Sequence, residues 1–261
     1  MIRLEKCSYE SIYDLYQSGG SFFPLIAAVL LNEQDGVVYV DNPNSPSQAY
    51  VEHVFGFAQV FGNITADFEQ NLARYLLIDK CFNPSKIRLY TPYLLSFLTL
   101  PEHESLRSYR QRFTINTETV SCKQETALSM EKDITLTGVD ASDIELIDDK
   151  FGVVSRFWRT PADFILKSNA VVVFYKGEIA SLCYAAAEAN HFVEIDVLTL
   201  PEFRNLGLAK FAVVNFVNQC FGLSLHPLWD CFTNNLGSMM LCKSVGFTAP
   251  KAPYPFFTIN K

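Results

Sequence analysis

Residues 193–216, VEIDVLTLPEFRNLGLAKFAVVNF, constrain this chain more than any other stretch. Their pattern predicts a buried strand, a short turn bearing Pro201, and a helix whose first turn carries Arg204, Gly207 and Ala209 as R-x-x-G-x-A. The first N–H groups of a helix have no partner inside it, and the helix dipole adds partial positive charge there. Residues Asn205, Leu206, Gly207, Leu208 and Ala209 would therefore cradle a pyrophosphate through their backbone. Gly207 has no Cβ, so phosphate oxygens can approach closely, and the small Ala209 keeps the next turn clear.

Bulk properties narrow what such a cradle serves. The 261 residues, 49% hydrophobic and 14% aromatic, suffice for one large domain or two ordinary ones. The longest apolar runs, such as residues 24–31, fall short of a membrane span, and the first residues lack the basic start and cleavage site of a signal peptide. A soluble cytoplasmic protein is expected. A formal charge of −7 argues against a nucleic-acid ligand, which needs a basic face, and suits a cationic or amine substrate. Seven cysteines without paired spacing read as reduced core thiols. Four scattered histidines imply no metal.

About thirty residues beyond the cradle stands a second block: Pro227, Trp229, Asp230 and Cys231, then Asn235, Ser238, Leu241, Gly246 and Phe247. Together, R-x-x-G-x-A and N-x-x-S-x-x-L-x-x-x-x-G-F resemble the GNAT superfamily of acyl-CoA N-acyltransferases. The P-x-W-D-C lead-in and the E-I-D strand resemble a bacterial two-domain GNAT group of mostly unassigned substrate. The resemblance covers about the last 130 residues and is faint before them. It implies a mixed α/β fold, acetyl-CoA as co-substrate, and direct acetyl transfer to an amine without a covalent enzyme intermediate. The alternative is a non-catalytic acyl-CoA-binding module.

The order of elements agrees with two halves. Residues 8–17 and 21–31 predict two helices, GVVYVDNP and SQAYVEHVFGFA a hairpin, and TADFEQNLARYLLIDK a helix capped by Thr65. KIRLY, PYLLSFL and RQRFTINTETV follow as strand, short helix and strand. That is the order of a GNAT half whose phosphate loop is missing, since residues 61–65 contain no R-x-x-G-x-G; the other reading is an unrelated α+β cap. The polar stretch 118–132 would join this domain, 1–125, to a GNAT domain, 130–261. In the second, ITLTGV predicts a strand, ASDIELIDD and TPADFILKS helices, AVVVFYK and EIASLCYAAAEA a hairpin, and residues 191–200 the central strand. A strand at 228–232, a helix at 236–244 and a strand near 256–259 complete it.

The resemblance assigns roles. Val197, Leu198 and Thr199 would bond the pantetheine arm through the strand backbone, one N–H polarising the thioester carbonyl. Arg204 would meet a phosphate oxygen, or stand as a surface residue beside Glu202. Asn235 would contact the cofactor arm, cap its own helix, or both, with Asn234 or Ser238 sharing the role. An ammonium of pKa ~10 must lose a proton before it attacks. Glu194 and Asp196, two apart on a strand and so on one face, are the candidate bases or amine anchors, or else the polar outer face of a half-buried sheet, with Glu188 a weaker third. Cys242 stands where many relatives carry a Tyr that protonates the leaving thiolate; it reads either as that acid or as core. The first half would form one wall of the acceptor cleft.

Overall fold

The computed structural model describes residues 1–91, 93–116 and 133–261. The expected linker, 118–132, lies outside the described residues. Two compact units emerge: Met1–Arg110 with Tyr254–Lys261, and Gln111–Pro253. The expected division at about residue 125 thus differs in two ways from the compact units. The boundary falls inside a strand, and the last strand joins the first unit because its partners there are two strands of that unit.

The first unit runs β1 (Ile2–Arg3), α1 (Tyr13–Ser18), α2 (Pro24–Leu30), β2 (Gly36–Val40), β3 (Gln48–His53), β4 (Phe57–Gly62), α3 (Ala66–Ala73), β5 (Lys86–Tyr90) and β6 (Arg107–Thr114). Pro24 opens α2, where a missing N–H costs nothing, and every residue of that helix is buried. The expected hairpin is instead a three-strand meander. SQAYVEHVFGFA breaks at Val54 and Phe55, both exposed, and at Gly56, whose φ of +86° suits a turn that a Cβ would obstruct. The strand order is β1-β2-β3-β4-β5 and then the last strand, β12 (Tyr254–Asn260), which separates β5 from β6. Only β4 and β5 pair parallel among these neighbours. Tyr50, Val60, Leu72, Leu76, Leu89, Phe257 and their neighbours form one buried cluster.

The second unit repeats that connectivity: β7 (Ile134–Thr137), α4 (Ile144–Phe151), α5 (Val154–Phe157), α6 (Pro161–Lys167), β8 (Val171–Tyr175), β9 (Glu178–Ala189), β10 (Phe192–Thr199), α7 (Leu208–Gly222), β11 (His226–Phe232) and α8 (Leu236–Val245). The order is β7-β8-β9-β10-β11, with the end of β6 beside β11. Again one parallel pair, β10 with β11, follows an antiparallel meander. The short α5 was not expected from sequence, because four residues carry too little periodicity to register. The core lies between the sheet and the pair α7 and α8, and contains Val193, Val213, Phe216, Trp229, Cys231 and Cys242. Both units show the same succession of strand, helices, meander, helix and parallel strand.

Candidate active site

Strand β10 changes partners along its length. It pairs with β11 only at Phe192↔His226, Val193↔Pro227 and Glu194↔Leu228, then continues to Thr199 against β9 alone. A bulge between Glu194 and Ile195 marks the change, and bulges bend a strand and raise its twist. The sheet therefore opens past Glu194. Val197, Leu198 and Thr199 lie along the β10 side of that opening. Ser181 Oγ donates to the Leu198 carbonyl at 2.9 Å, and Arg204 Nε to the Thr199 carbonyl at 3.4 Å.

At the end of β10 the chain makes a tight turn, Pro201–Phe203, and reaches α7 through an exposed loop. Here the sequence reading needs correction. Arg204 and Gly207 precede the helix, and only Ala209 belongs to its first turn. Gly207 has φ +79° as the N-cap residue, a left-handed conformation that helical residues do not adopt. Asn205 is left-handed too, at φ +64°. No side chain caps α7, so the orphan N–H groups of its first turn face outward beside the buried Leu208. Leu206 is exposed on the same loop.

Helix α8 begins differently. Asn235 Oδ1 accepts from the Ser238 N–H at 3.2 Å, an ordinary cap, while Ser238 Oγ accepts from Trp229 Nε1 at 3.0 Å. Both candidate cofactor contacts thus hold local structure. Cys242 is fully buried in the core, donating to the Met239 carbonyl at 3.3 Å. Burial, with Cys231 nearby, pushes its thiol up to about 12.

Across the sheet, Val193, Ile195 and Val197 pack toward α7, so alternation turns Glu194 and Asp196 to the other face, together as expected. Glu188 does not join them. It pairs with Val193, on the α7 face, where burial and then the Glu188 carboxylate push the Cys220 thiol of α7 up to about 12. Asp196 Oδ2 accepts from the Tyr184 hydroxyl at 2.7 Å and from Arg156 Nη1 at 3.3 Å. Burial and then the Asp196 carboxylate push the Tyr184 phenol well above its usual value, so it remains a neutral donor. Its ring packs on Phe157 and Phe164, which is how α5 and α6 cover this face. Sequence reasoning missed Arg156, Tyr184 and the Arg112–Asp230 pair. The last joins Arg112 Nε to Asp230 Oδ2 at 3.1 Å. Tyr184 was accessible in principle, since the alternation of Cys183 and Ala185 sends it to the Glu194 face; Arg156 carried no periodic signal.

The family model for GNAT acetyltransferase matches residues 23–257. The chain belongs to this family of transferases. An uncharacterized N-acetyltransferase, YdfB of Bacillus subtilis (strain 168), is 29% identical over 92 residues, so the match spans about a third (35%) of that relative's length and of this chain. Among solved structures, a GCN5-related N-acetyltransferase-like protein from Streptococcus suis 89/1591 superposes with TM-score 0.71 at 19% identity, covering 98% of this chain and 100% of that one. A tandem GNAT protein from the clavulanic acid biosynthesis pathway superposes with TM-score 0.61 at 7% identity, covering 97% of this chain and 94% of that one. At such identities the likeness is one of fold. It extends over both units of this GNAT chain, the first included.

Proposed function

We propose that the second unit binds acetyl-CoA and transfers its acetyl group directly to an amine. One observation carries the reading: the uncapped N-terminus of α7, entered through the left-handed Gly207, stands at the end of the strand that leaves its neighbour. The residues fit the group. Unpaired N–H groups at a helix start favour an anion such as a pyrophosphate, and glycine admits it. Residues 205–209 would hold the phosphates, with Arg204 available to a phosphate oxygen. Val197, Leu198 and Thr199 would meet the pantetheine arm as a further strand does. Bound acetyl-CoA would supply an acetyl group activated as a thioester.

The protein's own groups would handle the amine. Asp196, fixed by Tyr184 and Arg156, would orient the ammonium, and Glu194, at the last β10–β11 pair, would take its proton. Asn235 and Ser238 would act mainly by starting α8 in the right place. Cys242, committed to the Met239 carbonyl, would serve the core instead of protonating a leaving thiolate. No described helix is long and apolar enough to cross a membrane, and the six described cysteines are free thiols, which supports a cytoplasmic setting. Acetyl-CoA should raise the thermal midpoint in a concentration-dependent way and release free thiol with a suitable amine. A shift without thiol release across broad amine panels would favour a binding module over an enzyme.

A further inference from the structure

The Glu194↔Leu228 pair is the last that joins β10 to β11, so Trp229 is the first β11 residue past the fork. Its indole belongs to the core under α7 and α8, on the face of Ile195 and Val197, whereas alternation puts Glu194 on the other face. Trp229 Nε1 donates to Ser238 Oγ at 3.0 Å, which ties the first turn of α8 to the fork. A carboxylate on one face and a hydroxyl on the other thus flank the opening.

Starting α8 does not exhaust what Ser238 can do. An indole N–H can only donate, so the bond to Trp229 occupies a lone pair of the serine oxygen and leaves the hydroxyl hydrogen uncommitted. Serines in helices often return that hydrogen to a carbonyl about one turn back, as Ser244 does to the Leu241 carbonyl at 2.8 Å. Among the described residues no acceptor meets the Ser238 hydrogen, and the residue is half-buried, not sealed in the core.

We propose that Ser238 is a catalytic residue whose hydroxyl donates a hydrogen bond to the sulfur that leaves in acetyl transfer. The assignment rests on reading the second unit as the acetyl-transferring one. An arm that starts at the cradle and runs back along Thr199, Leu198 and Val197 brings its thioester to the fork, where β11 closes the sheet. With one ammonium proton on Glu194, the amine nitrogen bonds to the thioester carbon and gives its second proton to water, while the C–S bond breaks and its electron pair stays on sulfur. Negative charge then develops against an apolar core, where a donor already held in place is worth more than one in water. Ser238 gives a hydrogen bond and keeps its proton, because an alcohol is a far weaker acid than a thiol. Cys242, one turn further along α8, has its own hydrogen on the Met239 carbonyl. Trp229 is the positioning residue that fixes the hydroxyl oxygen.

The test compares CoA with desulfo-CoA, in which hydrogen replaces the thiol, by calorimetric titration into the full chain from about pH 7 to about pH 10, the range in which thiols ionise. A hydrogen bond to sulfur favours the thiolate, so bound CoA has a lower thiol pKa than free CoA, and its affinity relative to desulfo-CoA rises with pH. The rise should be about tenfold, the equivalent of one pKa unit, and should shrink to less than about threefold in Ser238→Ala. Loss of the partner of Trp229 in that variant weakens both ligands alike, and Cys231 and Cys242 titrate under either ligand, so both effects drop out of the ratio. The proposal is overturned if the wild-type ratio does not change with pH, a result that needs no variant, or if the rise persists undiminished in Ser238→Ala. Failure of CoA and desulfo-CoA alike to bind would instead fault the acetyl-CoA reading, and the proposal would fall with it.

Discussion

Between β4 and α3 of the first unit run three residues, 63–65, whereas eight, 200–207, connect β10 to α7 in the second. In the short connection Thr65 caps α3, its Oγ1 accepting from the Phe68 N–H, while Gln48 Oε1 accepts from the Thr65 N–H at 2.8 Å. The first unit thus meets its helix N-terminus with its own side chains. The long connection ends on Gly207 without a cap. Strand geometry is otherwise alike: the parallel ladder ends at Gln59↔Tyr90 in one unit and at Glu194↔Leu228 in the other. The residues at that matched position differ in kind. Gln59 accepts from the Tyr16 hydroxyl and donates to the Ser21 carbonyl, a closed amide network, where the second unit has a carboxylate. One frame, built twice, is compatible with binding in one copy and with none in the other, because the distinction lies in a loop and a single side chain.

Making the second unit resemble the first at that position should have the largest effect. Glu194→Gln should lower turnover by ~10²–10⁴ while leaving the acetyl-CoA thermal shift intact, the signature of a lost proton acceptor. A wild-type rate would mean that the carboxylate does not distinguish the units.

A second contrast is sensitivity to acid. His53, in the first unit, is buried, with Nδ1 accepting from the Phe55 N–H and Nε2 facing Gln34 Oε1, so Nε2 carries the proton of the neutral ring. Burial, only partly opposed by Asp35, pushes its pKa down to about 4. Unfolded, it protonates near 6.5, so between those values the unfolded chain binds the extra proton and stability falls as pH falls. The loss should total about 3 kcal/mol by pH 4 and shrink in His53→Gln, measured by denaturant midpoints across that window. An unchanged pH slope in the variant would remove His53 from the account.

Thr65→Ala should cost about 1 kcal/mol of stability and leave CoA affinity unchanged. A new CoA site in that variant would break the comparison, since capping alone would then explain the difference. The smallest effect belongs to Cys242→Ala: about 1 kcal/mol of packing and a change in turnover of less than about threefold. A hundredfold fall at unchanged affinity and stability would make Cys242 the acid after all.

Much of this was legible in the residues. Proline and glycine punctuation marked the ends of α2, β4 and the loop before α7, and alternation along β10 put Glu194 and Asp196 on one face. The starting point of α7 was misread because R-x-x-G-x-A does not reveal which residue takes a positive φ. The destination of the last strand was hidden for a different reason. Its pattern suits any buried strand, and its pairing with β5, Phe257↔Leu89 to Asn260↔Lys86, and with β6, Tyr254↔Arg110 to Phe257↔Arg107, assigns it to the first unit. The Tyr184–Asp196 and Arg112–Asp230 contacts each join residues of different strands, which no local pattern encodes.

Titrating CoA into the wild-type chain and into Gly207→Val by calorimetry decides whether one unit binds and the other does not. One site per chain is expected, lost in the variant, because a branched side chain at φ +79° is strained and fills the approach to α7. Two sites per chain, or one that survives Gly207→Val with unchanged affinity, would contradict it.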